Sequence, residues 1–372
     1  MDVQYHPTGD LSQVVKDRPF DQWRYRELLP LPVGAALPPI QVGGSPISDA
    51  PRLAAKLGVR RVVVKDDGRN PSASTKDRPS AVAVVIAKAI TSERVVCAST
   101  GNAASSLACL AASMGLPATI FVPARAPAPK LAQLRIFGAR VLRVAADYDT
   151  TWELCQRIAT RKPWFNRNCA VNPYLVEGKK TIALELADQL RERMTAWVAV
   201  SVGDGCTYAG VVKGLEEAHA AGFIPFVPRV LGVQAEGARP LVDALDGDGQ
   251  LHLHSADTIA DSIAVGHPRN FRKALDAARR NSGRFVAVSD ADILQGMRDA
   301  ARLAGVFAEP AASATFAGVG VAVARGIIRA DEDVSVLVTG NGLKDTATAL
   351  TAVDGPEDVP PDEAEIERVL AG

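Results

Sequence analysis

Short apolar runs rich in Val and Ile keep alternating with longer Ala-rich stretches of helical period, and this alternation constrains the fold more than any other feature of the chain. It is the mark of a parallel sheet covered by helices on both faces, so the expected class is α/β. Strands are expected at 60–65, 94–98, 118–122, 140–144, 197–202, 229–234 and 334–339. Helices fit 80–91, 103–114, 129–137, 150–161, 178–194, 209–221, 290–304 and 312–325. Beyond 353 a turn-rich linker, Asp354-Gly-Pro-Glu-Asp-Val-Pro-Pro, leads to a short acidic helix at 362–370.

Composition removes several function classes. The 372 residues suffice for about two domains or one large fold with a lobed cleft. Lys plus Arg (42) balances Asp plus Glu (42) without a long basic run, so nucleic acid is not an expected partner. Hydrophobic residues make up 47%, yet no apolar stretch approaches the roughly 20 residues that span a bilayer, so no membrane partner is expected either. The cysteines, Cys97, Cys109, Cys155, Cys169 and Cys206, are odd in number and never paired as CxxC. Neither a disulfide framework nor a metal site is suggested, and a reducing cytoplasm is the expected location. The polar residues 1–11 do not resemble a secretory leader.

In an open parallel sheet ligands gather at the carboxyl ends of the strands, which directs attention to four loops. In the first, Asn70-Pro71 and a run of small polar residues lead to a lone lysine, Lys76, just ahead of an apolar helix. A primary amine there is well placed to meet a carbonyl, although on chemistry alone a solvated surface lysine is the better reading. The second loop, Ser99-Thr100-Gly101-Asn102, opens a helix and forms an anion site by geometry, or an ordinary helix cap supplied by Asn102. The third, Gly203-Asp204-Gly205-Cys206-Thr207, has glycines that free the backbone to wrap a phosphate. It also half-matches a dinucleotide fingerprint, with Glu236 as the candidate ribose ligand. Cys206 has no histidine near it and reads as a small buried loop residue rather than a nucleophile. The fourth loop, Thr339-Gly-Asn-Gly-Leu-Lys344-Asp345, places a hydroxyl at the rim of the last strand.

Taken in this order, the loops resemble the fold-type II pyridoxal 5′-phosphate (PLP) enzymes, and within them the threonine synthases, from Gly44-Ser-Pro to Lys344-Asp345. The resemblance implies that Lys76 is the catalytic Schiff-base lysine and that Asn102 bonds the cofactor's 3′-oxygen. It further implies that Ser99 and Thr100, with Ala103 next in the same wall, take the substrate carboxylate. Gly203, Asp204, Gly205, Cys206 and Thr207 would hold the cofactor phosphate, and Thr339 would face the pyridine nitrogen, where a neutral hydroxyl suits elimination and replacement. Val171-Asn-Pro, Glu177-Gly-x-Lys-Thr, Ile263-Ala-Val-Gly-His-Pro and Phe307-Ala-Glu-Pro-Ala-Ala-Ser are also similar to that family, with packing and turns as their plain roles.

The implied architecture is two lobes, each a mostly parallel sheet flanked by helices, with PLP in the cleft. A large domain would take 1–67 and 168–353, a small mobile one 68–167, and a linker and helix 354–372. The implied protein is a cytoplasmic homodimer, a PLP-dependent lyase that converts O-phosphohomoserine and water to threonine and phosphate. Four departures keep other chemistry open: Thr75 where Phe is usual, Ala103 where Thr is common, Cys169-Ala170 for an Asn-Ser pair, and Leu175 for an Arg. A phosphate dianion needs donors and positive charge. β-Elimination or β-replacement on serine, threonine or an activated serine therefore stands beside the first reading, and a non-catalytic nucleotide binder built on the Gly203 loop stands behind both.

Overall fold

The structure, a computed structural model, describes residues 3–5, 10–126, 128–169, 171–253 and 255–371. Its strands are β1 (Ile47–Asp49), β2 (Arg61–Asp66), β3 (Arg94–Ala98), β4 (Ala118–Pro123), β5 (Arg140–Val144), β6 (Trp164–Asn166), β7 (Trp197–Ser201), β8 (Arg229–Ala235), β9 (Arg284–Val288) and β10 (Asp333–Val338). They form a six-stranded sheet in the order β1-β2-β10-β7-β8-β9 and a four-stranded sheet in the order β5-β4-β3-β6. Every pairing is parallel except β1 with β2. The fold is α/β with helices on both sheets.

Successive side chains of a strand point to opposite faces, so a strand covered on both sides has to be apolar throughout. In β2, Val62 and Val64 enter one core while Val63 enters the other, and in β7 Trp197 and Ala199 separate from Val198 and Val200 in the same way. The smaller sheet repeats the pattern, with Val95 and Cys97 against one layer and Val96 and Ala98 against the other. This double burial is why the central strands are visible as unbroken apolar runs.

Some elements depart from expectation. β1 and β6 have three residues each, too short to show a period, and β9 is an edge strand paired only with β8. The helix expected at 178–194 is two segments, Tyr174–Lys179 and Thr181–Leu190, joined through Lys180 in helical conformation and stopped at Arg191, whose φ is +50°. The helix expected from residue 80 starts earlier, as Asp77–Ala89, which puts Lys76 at its mouth.

That helix start is held by a buried charge cluster. Arg78 donates to both oxygens of Asp67 at 2.6 and 2.8 Å and to Glu185 at 2.8 Å. Lys65, near the end of β2, donates to the other Glu185 oxygen at 2.8 Å. Burial alone would raise the Asp67 carboxyl, but Arg78 and Lys65 hold it at about 2. The loop between β2 and its helix is thus clamped from below at both ends. No helix among the described residues is long and apolar enough to cross a membrane.

Candidate active site

β2, β10 and β7 are neighbours in the large sheet, so the loops after their carboxyl ends lie side by side, facing the loop after β3 of the small sheet. The Lys76 loop is fastened to the residues after β10: Thr75 N–H donates to the Thr339 carbonyl at 2.8 Å and Asn341 N–H to the Ala73 carbonyl at 3.1 Å. Ala73 adopts φ +64°, a left-handed conformation unusual for a residue with a Cβ. The Asp77 carboxylate closes the loop by accepting from the Ser72 N–H at 2.7 Å and hydroxyl at 2.6 Å.

Lys76 is half-buried, not a solvated surface residue, and lines two cavities. The larger, about 560 Å³, is also lined by Ser99, Thr100, Asn102, Ala103 and Asp204. The smaller, about 90 Å³, is walled by Gly203, Asp204, Gly205, Cys206, Thr207 and Thr339. All the candidate site residues therefore meet around one amine. Burial, reinforced by the charges of Lys179 and Arg167, pulls that amine down to about 8 against the opposing pull of Cys169 and Glu309.

Asn102 is the first residue of the helix Asn102–Ser113, and Gly101 occupies the cap position. Its side chain is not a helix cap. The amide donates to both Glu309 oxygens at 3.0 and 2.9 Å and approaches the Ser262 hydroxyl at 3.4 Å. Burial raises the Glu309 carboxyl, with Asn102 and Lys76 opposing.

The Gly203 loop ends at the N-terminus of the helix Cys206–Ala220, whose cap, Gly205, has φ +85° and provides no side-chain hydrogen bond. The first N–H groups of that helix are free for an anion. Asp204 braces the loop rather than facing an anion: its carboxylate accepts from Arg269 N–H at 2.6 Å, and burial pushes it up to about 6. The Thr339 hydroxyl lies 3.4 Å from that of Ser201. An amine of lowered basicity, an open helix N-terminus and a neutral hydroxyl around a narrow cavity fit a phosphorylated carbonyl compound with a heteroaromatic ring, which is the shape and charge of PLP.

Sequence reasoning missed the residues that add charge here. Lys179, the unspecified position of Glu177-Gly-x-Lys-Thr, is buried and reaches the Cys169 sulfur at 3.4 Å. Arg167, which no motif marks, reaches the same sulfur at 3.5 Å. The Cys206 thiol, with Lys179, Arg167 and Lys76, holds Cys169 well below the usual thiol range, while Cys206 is pushed up. The sulfurs of Cys169 and Cys206 and a carboxylate oxygen of Asp204 lie within 4.8 Å of one another, but the surrounding cations oppose a metal there. Glu309 lies unmarked inside Phe307-Ala-Glu-Pro. Leu175 is fully buried against the helix Asp77–Ala89 and lines neither cavity; Ala170 lies outside the described residues. Glu236 is exposed and lines neither cavity, which leaves the dinucleotide reading without its ribose ligand.

Comparison with known proteins agrees with this geometry. The family model described as pyridoxal-phosphate dependent enzyme matches residues 39–340. A threonine synthase of Methanocaldococcus jannaschii is 34% identical over 362 residues, covering 96% of this chain and 89% of that protein. One of Mycobacterium leprae is 37% identical over 335 residues, covering 89% and 91%. Among solved structures, an L-serine ammonia-lyase from Rhizomucor miehei superposes with a TM-score of 0.72 at 22% identity, over 83% of this chain and 96% of that one. Maize serine racemase gives 0.70 at 21%, over 80% and 88%.

Proposed function

The chain belongs to the pyridoxal-phosphate dependent enzymes and uses PLP as its cofactor, and from that premise we propose that it is a threonine synthase-like lyase acting on O-phosphohomoserine. The observation that carries the reading is the position of Lys76, which lines both the cavity with the open helix N-terminus and the cavity with Ser99 and Thr100.

Lys76 would carry the cofactor on Nζ. The loop from Gly203 to Thr207, braced by Asp204 and with Lys179 behind it, would hold its phosphate through backbone N–H groups; Asn102, tied by Glu309, would lie beside its ring oxygen, and Thr339 would face its ring nitrogen. When bound, PLP supplies the electron sink that acidifies the hydrogen on the substrate's α-carbon. Ser99 and Thr100 orient the substrate by its carboxylate, with Ala103 beside them. The Lys76 amine, once free, removes the Cα proton and then a Cβ proton as phosphate leaves Cγ, and returns protons at Cγ and, after water adds at Cβ, at Cα, a shuttle that suits a base whose pKa of about 8 lies near neutrality. The large domain 1–67 and 168–353, the small domain 68–167 and the appendage 354–372 complete the reading, as do a small amino-acid substrate, a homodimer and a cytoplasmic location.

A second reading, β-elimination or β-replacement on serine, threonine or an activated serine, is favoured by Leu175, which is packed into the core where the resemblance expects a phosphate-binding arginine.

The test is to incubate PLP-loaded protein with O-phosphohomoserine and, in parallel, with threonine, serine and O-phosphoserine, measuring phosphate, ammonia and amino-acid products. Threonine and phosphate from the first support the leading reading. Turnover of only the β-substituted amino acids transfers the assignment to the second. A Lys76→Ala protein that keeps the cofactor absorbance and still fixes PLP with borohydride sinks both.

A further inference from the structure

The larger cavity contains a cation that tunes the Lys76 amine but has been given no contact with the substrate. Arg167 comes just after β6 and is fully buried. Its backbone N–H donates to the Val96 carbonyl at 2.8 Å, Nε to the Ser80 hydroxyl at 3.0 Å, and Nη1 to the Cys169 sulfur at 3.5 Å. Nη2, equally buried, has no hydrogen-bond partner among the described residues. Buried guanidinium nitrogens are normally satisfied, so an orphan on a cavity wall marks a place where something else supplies the acceptor.

The other charged groups on that wall are engaged. Arg269 pairs with Asp149 at 2.7 Å and stacks over Trp152 at 4.4 Å. The Asp204 carboxylate is taken by the Arg269 N–H, and that of Asp261 by Lys130 at 2.5 Å. Lys179 lines the smaller cavity with the Gly203 loop and does not line the larger one. Among the described residues, only Arg167 combines burial, an unused donor and a share of the cavity that contains Lys76, Ser99 and Thr100.

We propose that Arg167 is the specificity-determining residue of this cavity, and that its free Nη2 binds an oxyanion, a phosphate ester, at the far end of the amino-acid substrate's side chain. This rests on the reading of Lys76 and deepens it: the charge that the chain lacks at Leu175 is supplied from the strand side by a residue outside the segments that carry the family likeness. A planar guanidinium is suited to the task because it stays charged when buried and offers fixed donors to phosphate oxygens.

The first measurement needs no variant. In PLP-loaded protein, inorganic phosphate should slow iodoacetamide alkylation of Cys169 at matched chloride ionic strength, since an anion on Arg167 lies against that sulfur; an unchanged rate overturns the proposal. Binding, read by the change in cofactor absorbance, should be tighter for O-phosphohomoserine than for homoserine, or for O-phosphoserine than for serine, and the arm that responds fixes the chain length. If neither phosphorylated compound binds more tightly than its parent, the proposal fails. In Arg167→Met, KM for the phosphorylated substrate should rise roughly 10- to 100-fold more than KM for threonine, the range for loss of a hydrogen bond to a charged group, with Arg167→Lys recovering part. Equal changes for both compounds would reduce Arg167 to a structural residue. Borohydride fixation at Lys76 is scored separately, so failure of the cofactor assignment is not mistaken for failure of the anion site.

Discussion

The backbone N–H of Thr75 donates to the carbonyl of Thr339 at 2.8 Å, so the residue before the lysine is bonded to the residue just past β10. The two loops proposed to present the amine and the hydroxyl are thus fastened to each other by backbone hydrogen bonds, this one between residues 264 positions apart. The reactivity of an amine held in this way depends on the charges around it.

Burial and Lys179 together lower Lys76 to about 8 from the ordinary 10.5. Its neutral, nucleophilic fraction in the apo-protein should therefore grow as pH rises through about 8, two to three units below the range of a surface lysine. The rate of PLP attachment, read by absorbance, should show that midpoint. Removing a neighbouring positive charge favours the protonated amine, so Lys179→Met should move the midpoint upward. A midpoint near 10.5 in the unaltered protein would mean that neither burial nor the neighbouring cations act on the amine.

Glu309 keeps the Asn102 amide in place through bonds of 2.9 and 3.0 Å. Glu309→Ala leaves that amide without its acceptor in a buried setting, a loss of about 1–3 kcal/mol. PLP affinity, measured by titrating apo-protein, should fall by about tenfold or more, and Glu309→Gln should fall less because one carbonyl oxygen can still accept. Equal affinity in all three proteins would separate Asn102 from cofactor binding.

Much of the fold and the site is legible in the sequence, for a physical reason. The strands behind the site are buried on both faces and must be apolar throughout, and the loops after them carry their chemistry in short contiguous motifs, as Asn70 to Lys76, Ser99 to Asn102 and Gly203 to Thr207 do. Arg167, Lys179 and Glu309 are not legible as site residues because their importance comes from tertiary approach: Arg167 and Lys179 meet only at the Cys169 sulfur, and Glu309 meets Asn102 across 207 positions of chain. Short strands such as β1 and β6 escape because three residues leave too weak a pattern.

The Arg78 cluster should matter to stability more than to chemistry. Asp67, Arg78 and Glu185 have no exposed side-chain surface, and breaking such a set leaves an uncompensated buried charge. Arg78→Met should lower the unfolding free energy by about 3–5 kcal/mol in denaturant titrations. Asp67 is depressed from 3.8 to about 2, so its contribution is complete above pH 3.8 and disappears as pH falls through about 2. A variant as stable as the parent would show that solvent reaches the cluster.

Cys169 should be the reactive thiol of the chain. Lys179 and Arg167 lie at 3.4 and 3.5 Å from its sulfur, and the Cys206 thiol together with these cations favours its ionised form. Burial pushes Cys97 up to about 12 and Cys109 and Cys155 up to about 11, so these are thiols at neutral pH, and Cys206 is likewise pushed up. Thiolate is the form that alkylates. Iodoacetamide at neutral pH, read by peptide mapping, should therefore label Cys169 first, at a rate that stays nearly level down to a pH well below the ordinary thiol range. Lys179→Met removes one of the cations that act on it, which returns the thiol toward its ordinary value and slows labelling at neutral pH. If labelling instead spreads evenly over the five cysteines, or if the Lys179 variant reacts as fast as the parent, then the positive charge around Cys169 does not act as the distances imply, and the cationic character assigned to this end of the cavity falls with it.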